Sequence, residues 1–96
     1  MSLPREQRPD AIRTALVAAL QPLELELVDE SHRHAGHAGA RDGRSHFALR
    51  ITSAAFAGIA PLARHRLVYG ALGSLMQTDI HALSIDARAP GEERRT

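Results

Sequence analysis

Six histidines in a chain of 96 residues that has no cysteine pose the chemical question, because imidazole is the commonest metal ligand and titrates nearest neutral pH. His32, His34 and His37 stand two and three residues apart in a polar stretch, close enough to converge on one metal if that stretch folds back. His46 opens an alternating apolar run, where a histidine ordinarily caps a strand or bonds across a sheet. His65, between Arg64 and Arg66, falls at helical spacing from Leu62 and Val68, the usual place of a hydrogen-bonded packing residue. His81 sits inside Ile80-His81-Ala82-Leu83, so its ring must find a partner or emerge at an exposed strand start. A chain without thiols has no disulfide, no thiolate nucleophile and no thiolate metal cage of its own. Any sulfur around a metal must come from another molecule.

The elements that would position these groups follow from periodicity. Pro9 and Asp10 precede Ile12, Leu16, Ala19 and Leu20 at helical spacing, and Pro22 stops that helix. Leucine and glutamate alternate over 23–28, which sets Leu23, Leu25 and Leu27 on one face of a half-buried strand. Residues 29–45 read as a long polar loop. Phe47, Leu49 and Ile51 alternate with His46, Ala48, Arg50 and Thr52 in a second strand, antiparallel to the first. Pro61 opens a second helical pattern that runs through Leu62, His65, Val68 or Tyr69, Leu72, Leu75 and Met76. Gly70 and Gly73 weaken it, and close approach of a neighbouring backbone would explain both. Residues 80–87 form a third strand, which a right-handed crossover makes parallel to the second. The order helix-strand-strand-helix-strand predicts an α+β two-layer sandwich with a three-stranded mixed sheet. Residues 9–88 form the single domain, 1–8 a flexible N-terminus and 89–96 a flexible charged tail.

Composition excludes several classes. A chain of this length buries only about 60–68% of the surface its unfolded form exposes, too little for a deep closed active site. Twelve basic residues, all arginine, balance eleven acidic ones, so net charge alone points to neither nucleic acid nor a membrane. No apolar stretch approaches a membrane span, and the N-terminus has no signal-like apolar core; a cytoplasmic protein is expected. Asp29 and Glu30 are adjacent and point to opposite sides of a strand, so they make no acid/base pair, and no nucleophile or phosphate-loop motif is present.

Val28-Asp29-Glu30-Ser31, Ser45-His46-Phe47, Phe56 with Gly58, Arg64-His65-Arg66-Leu67-Val68-Tyr69 and Ile80-His81-Ala82-Leu83 occur in this order and together resemble the BolA family over residues 10–88. The resemblance implies a fold similar to a class II KH domain. It further implies a monothiol glutaredoxin partner and a [2Fe-2S] cluster shared with that partner and glutathione, none of it held by this chain alone. The family's C-terminal cluster ligand falls on His81. Its loop histidine falls on His34, with His32 and His37 as alternatives, because the loop here is longer than usual, lacks its proline and adds His37. Members of the family are also linked to transcription and cell-shape control under stress. Imidazole replaces thiolate on one iron of some [2Fe-2S] centres, and protonation below about pH 6 would compete with iron for it.

Two other readings are weighed beside this one. Arg64 and Arg66 could touch DNA phosphates, although neither Gly36-His37-Ala38-Gly39 nor Gly70-Ala71-Leu72-Gly73 lies where a KH domain needs its GxxG loop. Zinc could be held by His32, His34 and His37 with a further ligand such as Asp42.

Overall fold

Residues 3–30 and 45–92 are described by the computed structural model. After a short 3-10 turn, Arg5–Gln7, come α1 (Arg8–Leu20), β1 (Glu24–Asp29), β2 (Ser45–Thr52), a 3-10 turn (Ala54–Phe56), α2 (Pro61–Leu72), the one-turn α3 (Leu75–Thr78) and β3 (Ile80–Arg88). The sheet order is β1-β2-β3, with β1 antiparallel and β3 parallel to the central strand. This is the expected α+β sandwich with a three-stranded mixed sheet.

In α1, Ile12, Leu16 and Leu20 recur every four residues and are buried, while Ala19 is exposed. The helix ends where Gln21 enters the left-handed region at φ 45° and its N–H reaches the Val17 carbonyl, ahead of Pro22. Phe47, Leu49 and Ile51 line the helix-facing side of β2, directly across from Leu27 and Leu25 of β1. Leu23 falls before the strand and is 70% exposed, so two of the three alternating leucines pack, not three. The second helical pattern breaks at Gly73, whose φ of 56° ends α2. A Cβ on Gly70 or Gly73 would meet no neighbour within 4 Å; Gly73 is there for its backbone angle, and no close approach explains either glycine.

Both expected tails are tied to the domain along their described lengths. On the N-terminal side, Arg8 is buried against Asp79, the residue before β3, with Nε 3.1 Å from Oδ2. The same carboxylate oxygen accepts the Leu3 amide at 2.6 Å, its other oxygen accepts the Thr78 hydroxyl, and Arg8 Nη1 donates to Ser45 Oγ at 3.0 Å. The Ser45 amide closes the circuit on the Asp79 carbonyl at 2.9 Å. On the C-terminal side, Ala89 is buried and Ala89-Pro90-Gly91-Glu92 turns back on itself, with Gly91 at φ 89° and the Glu92 amide on the Ala89 carbonyl. Proline followed by a glycine at positive φ is the signature of a type II turn.

Burial raises the Asp79 carboxyl pKa, but the hydrogen bonds from Thr78, Leu3 and Arg8, together with the Arg8 charge, outweigh it and hold the group below the usual aspartate range. A folded pKa below the unfolded one stabilises the fold fully above the unfolded value, about 4, and that contribution is lost as pH falls through the lower folded value. Arg8→Ala leaves a buried carboxylate without its cation and is expected to lower the unfolding free energy at pH 7 by about 3–5 kcal/mol, read from urea midpoints. The gap between the native and Arg8→Ala chains should narrow as the solution is acidified below about pH 4.

Candidate functional site

Two histidines meet at the start of the second and third strands, and strand register decides how. Ser45 pairs with Ile80, but the next residue of β2, His46, pairs with Ala82. His81 is therefore the extra residue of a β-bulge. The sequence shows why a bulge is needed. Ile80 faces the core, and so do Leu83, Ile85 and Ala87, which alternate in the opposite phase; one inserted residue reconciles the two.

The bulge leaves His81 exposed at the start of an edge strand, beside the ring of His46. The two ring centres are 4.9 Å apart and the planes are tilted by 51°. His46 is 7% exposed, held on the central strand with its carbonyl accepting the Glu30 amide at 2.7 Å. A cavity of about 310 Å³ opens beside it, lined by Glu30, His46, Phe47, Ala82, Leu83 and Ser84. Neutral imidazoles are borderline ligands that suit iron, zinc, copper and nickel. Among the described residues, no group of three or more histidine, cysteine or carboxylate side chains is placed to hold a metal ion.

His81 thus takes the second of the two courses open to it in the sequence, emergence at an exposed strand start, and it meets His46 there. His32, His34 and His37, and Asp42 of the zinc reading, lie outside the described residues. His65 is half-buried on α2, within the stretch that also packs Val68. The pairing of His46 with His81 was not read from the sequence, although a signal for it exists: Ser45-His46 and Ile80-His81 open two strands expected to lie parallel and adjacent.

The two arginines expected to face nucleic acid differ. Arg66 is exposed. Arg64 is committed: its Nε donates to the Ile59 carbonyl at 2.6 Å, Nη1 to the Ala87 carbonyl at 3.1 Å, and Nη1 and Nη2 grip the two Glu92 oxygens at 2.6 and 2.8 Å. Such a bidentate fork uses the donors that a phosphate would need. No helix among the described residues is long and apolar enough to cross a membrane.

Comparison with known proteins fits this geometry. The family model described as BolA-like protein matches residues 16–92. SufE-like protein 1, chloroplastic/mitochondrial, of Arabidopsis thaliana is 48% identical over 86 residues, 84% of this chain and 23% of that protein. The DNA-binding transcriptional regulator BolA of Escherichia coli (strain K12) is 42% identical over 76 residues, covering 79% of this chain and 70% of the relative. Among solved structures, the BolA domain of SufE1 from Arabidopsis thaliana superposes with a TM-score of 0.81 at 44% identity, covering 96% of this chain and all of that one. The family match ends at Glu92, the residue that closes on Arg64.

The Arg64 fork is the largest of the effects that hold the Glu92 carboxyl well below its ordinary value of 4.5, at about 2, and the Ala89 amide adds to it. The clasp is therefore complete above the ordinary glutamate pKa and is lost as pH falls toward about 2. A carbon-13 titration of the Glu92 side chain should place its midpoint near that value in the native chain and return it toward the ordinary glutamate range in Arg64→Gln. An ordinary midpoint in the native chain would contradict the clasp.

Proposed function

The chain belongs to the BolA family, and from that premise we propose that it partners a monothiol glutaredoxin and offers imidazole to a [2Fe-2S] cluster shared between them. The thiolates come from the glutaredoxin and from glutathione, since this chain has no cysteine. The observation that carries the reading is the bulge that sets His81 out from the sheet edge, exposed and beside a second imidazole, with no third ligand of its own among the described residues. Histidine in place of cysteine on one iron raises the reduction potential of such a centre. The role of this chain is to present neutral nitrogen at a fixed place, and loss of that nitrogen to a proton competes with binding. Iron-sulfur trafficking and iron or redox regulation are both served by such a partner. The protein works without catalysing a reaction, in a compartment where glutathione is reduced.

A second reading, binding of DNA as a regulator of transcription, draws on the similarity to the E. coli DNA-binding transcriptional regulator and on exposed Arg66. The engagement of Arg64 with Glu92 weakens it, because one of the two cations proposed for phosphate is already paired. Binding through phosphates would fall steeply with salt.

The test is to add the chain to a cluster-loaded monothiol glutaredoxin with glutathione and record visible absorption and circular dichroism. The native chain is expected to change both spectra, and His81→Ala to leave them as the glutaredoxin alone gives them. Spectra unmoved by the native chain would overturn the reading.

A further inference from the structure

The Arg64 fork closes on a carboxylate of its own chain, and it is built differently from an ordinary surface ion pair. We propose that Arg64 and the Ala89 amide form a receptor for a phosphate dianion, that Glu92 occupies this receptor as a tethered stand-in, and that displacement of the Ala89-Pro90-Gly91-Glu92 turn opens it. The receptor lies past the far end of β3 from His81, and it is independent of the shared-cluster reading.

Three donors converge on the one carboxylate: Arg64 Nη1 at 2.6 Å and Nη2 at 2.8 Å on its two oxygens, and the Ala89 N–H at 3.0 Å. The guanidinium does not depend on Glu92 for its position. Its Nε is fixed on the Ile59 carbonyl at 2.6 Å and Nη1 also on the Ala87 carbonyl at 3.1 Å, and the side chain is only 11% exposed. A cation clamped to backbone in this way keeps its outer edge aimed at the same point when the acceptor leaves, and such preorganisation lowers the cost of binding a replacement. Glu92 is held less firmly: its side chain is 41% exposed, and it ends a turn whose residues Pro90, Gly91 and Glu92 are all exposed. A planar fork with an adjacent N–H fits a carboxylate or a phosphate. The local charge favours the phosphate. Arg88, paired with Asp86 at 2.6 Å, also helps to keep the Glu92 carboxyl ionised, and a doubly charged group gains more from a second cation than a singly charged one. In the native chain the tether keeps Glu92 at a high effective concentration, which a free anion must outcompete.

The experiment titrates the full-length chain with inorganic phosphate, and in a parallel arm with phosphoserine, at about pH 8, where both are dianions, and at constant ionic strength. The Ala89 backbone amide and the Arg64 Cζ carbon are followed by magnetic resonance. Both signals are expected to shift saturably in Glu92→Ala, with an affinity about tenfold or more above that of the native chain, and to stay unmoved when Arg64→Gln is added to Glu92→Ala. The comparison of the native chain with Glu92→Ala decides the matter even where replacement of Arg64 disturbs the fold. Tighter binding of phosphoserine assigns the site to a phosphorylated side chain, and tighter binding of inorganic phosphate assigns it to the free ion. Equal affinities in the native chain and Glu92→Ala, or an equal response without Arg64, would overturn the receptor. So would an Arg64 signal that moves to the position of a solvated arginine in Glu92→Ala before any phosphate is added, since the carbonyl clamp would then not hold the fork.

Discussion

A buried ion pair between Arg8 and Asp79, residues 71 positions apart, holds together the end of this domain where β2 and β3 begin. Two charges removed from water are costly unless their remaining hydrogen-bonding capacity is met. Here it is met locally: the Asp79 carboxylate also takes the Leu3 amide and the Thr78 hydroxyl, and the Arg8 guanidinium also reaches the Ser45 hydroxyl and the Leu3 carbonyl. The circuit binds the N-terminal segment, the first turn of α1, the first residue of β2 and the approach to β3. His46 follows Ser45 directly and His81 follows Asp79 by two. The polar network and the imidazole pair therefore share the same two strand ends, and whatever loosens the first displaces the second.

The bulge converts that anchorage into an accessible imidazole. An unbroken parallel ladder would keep Ile80 and Leu83 on opposite faces, since they are three residues apart. The fold keeps both on the helix side by letting His81 stand out of register. Bulges recur where a sheet must re-aim a side chain, and this one does so at an edge of the sheet. The charged clasp at the other end of the strand, Arg64 with Glu92, secures the last residues of the domain across the end of β3.

Much of the architecture was legible because it depends on local alternation. Leucine against glutamate in β1, and Phe47, Leu49 and Ile51 in β2, specify strands and their buried faces without reference to the rest of the chain. The Arg8–Asp79 pair was not legible, since a charged residue near the start of a chain reads as solvated until its partner, far away in sequence, is known. Arg64 escaped for the same reason: its acceptors lie on Ile59, Ala87 and Glu92, and only folding gathers them. The turn at Ala89-Pro90-Gly91-Glu92 did carry a local signal, proline then glycine, that a charged composition obscured. At the site, His81 was singled out by its place in an apolar run, while the approach of His46 required the register of two strands and the position of a bulge.

We propose that this thiol-free chain contributes nitrogen directly to iron gripped by another molecule. The most direct measurement is pulsed electron paramagnetic resonance of the reduced complex with a cluster-loaded glutaredoxin, made with nitrogen-15 in the histidines of this chain only. The account predicts nitrogen-15 couplings from coordinated imidazole that disappear in His81→Ala. A reduced cluster showing no coupling to any labelled histidine would contradict it.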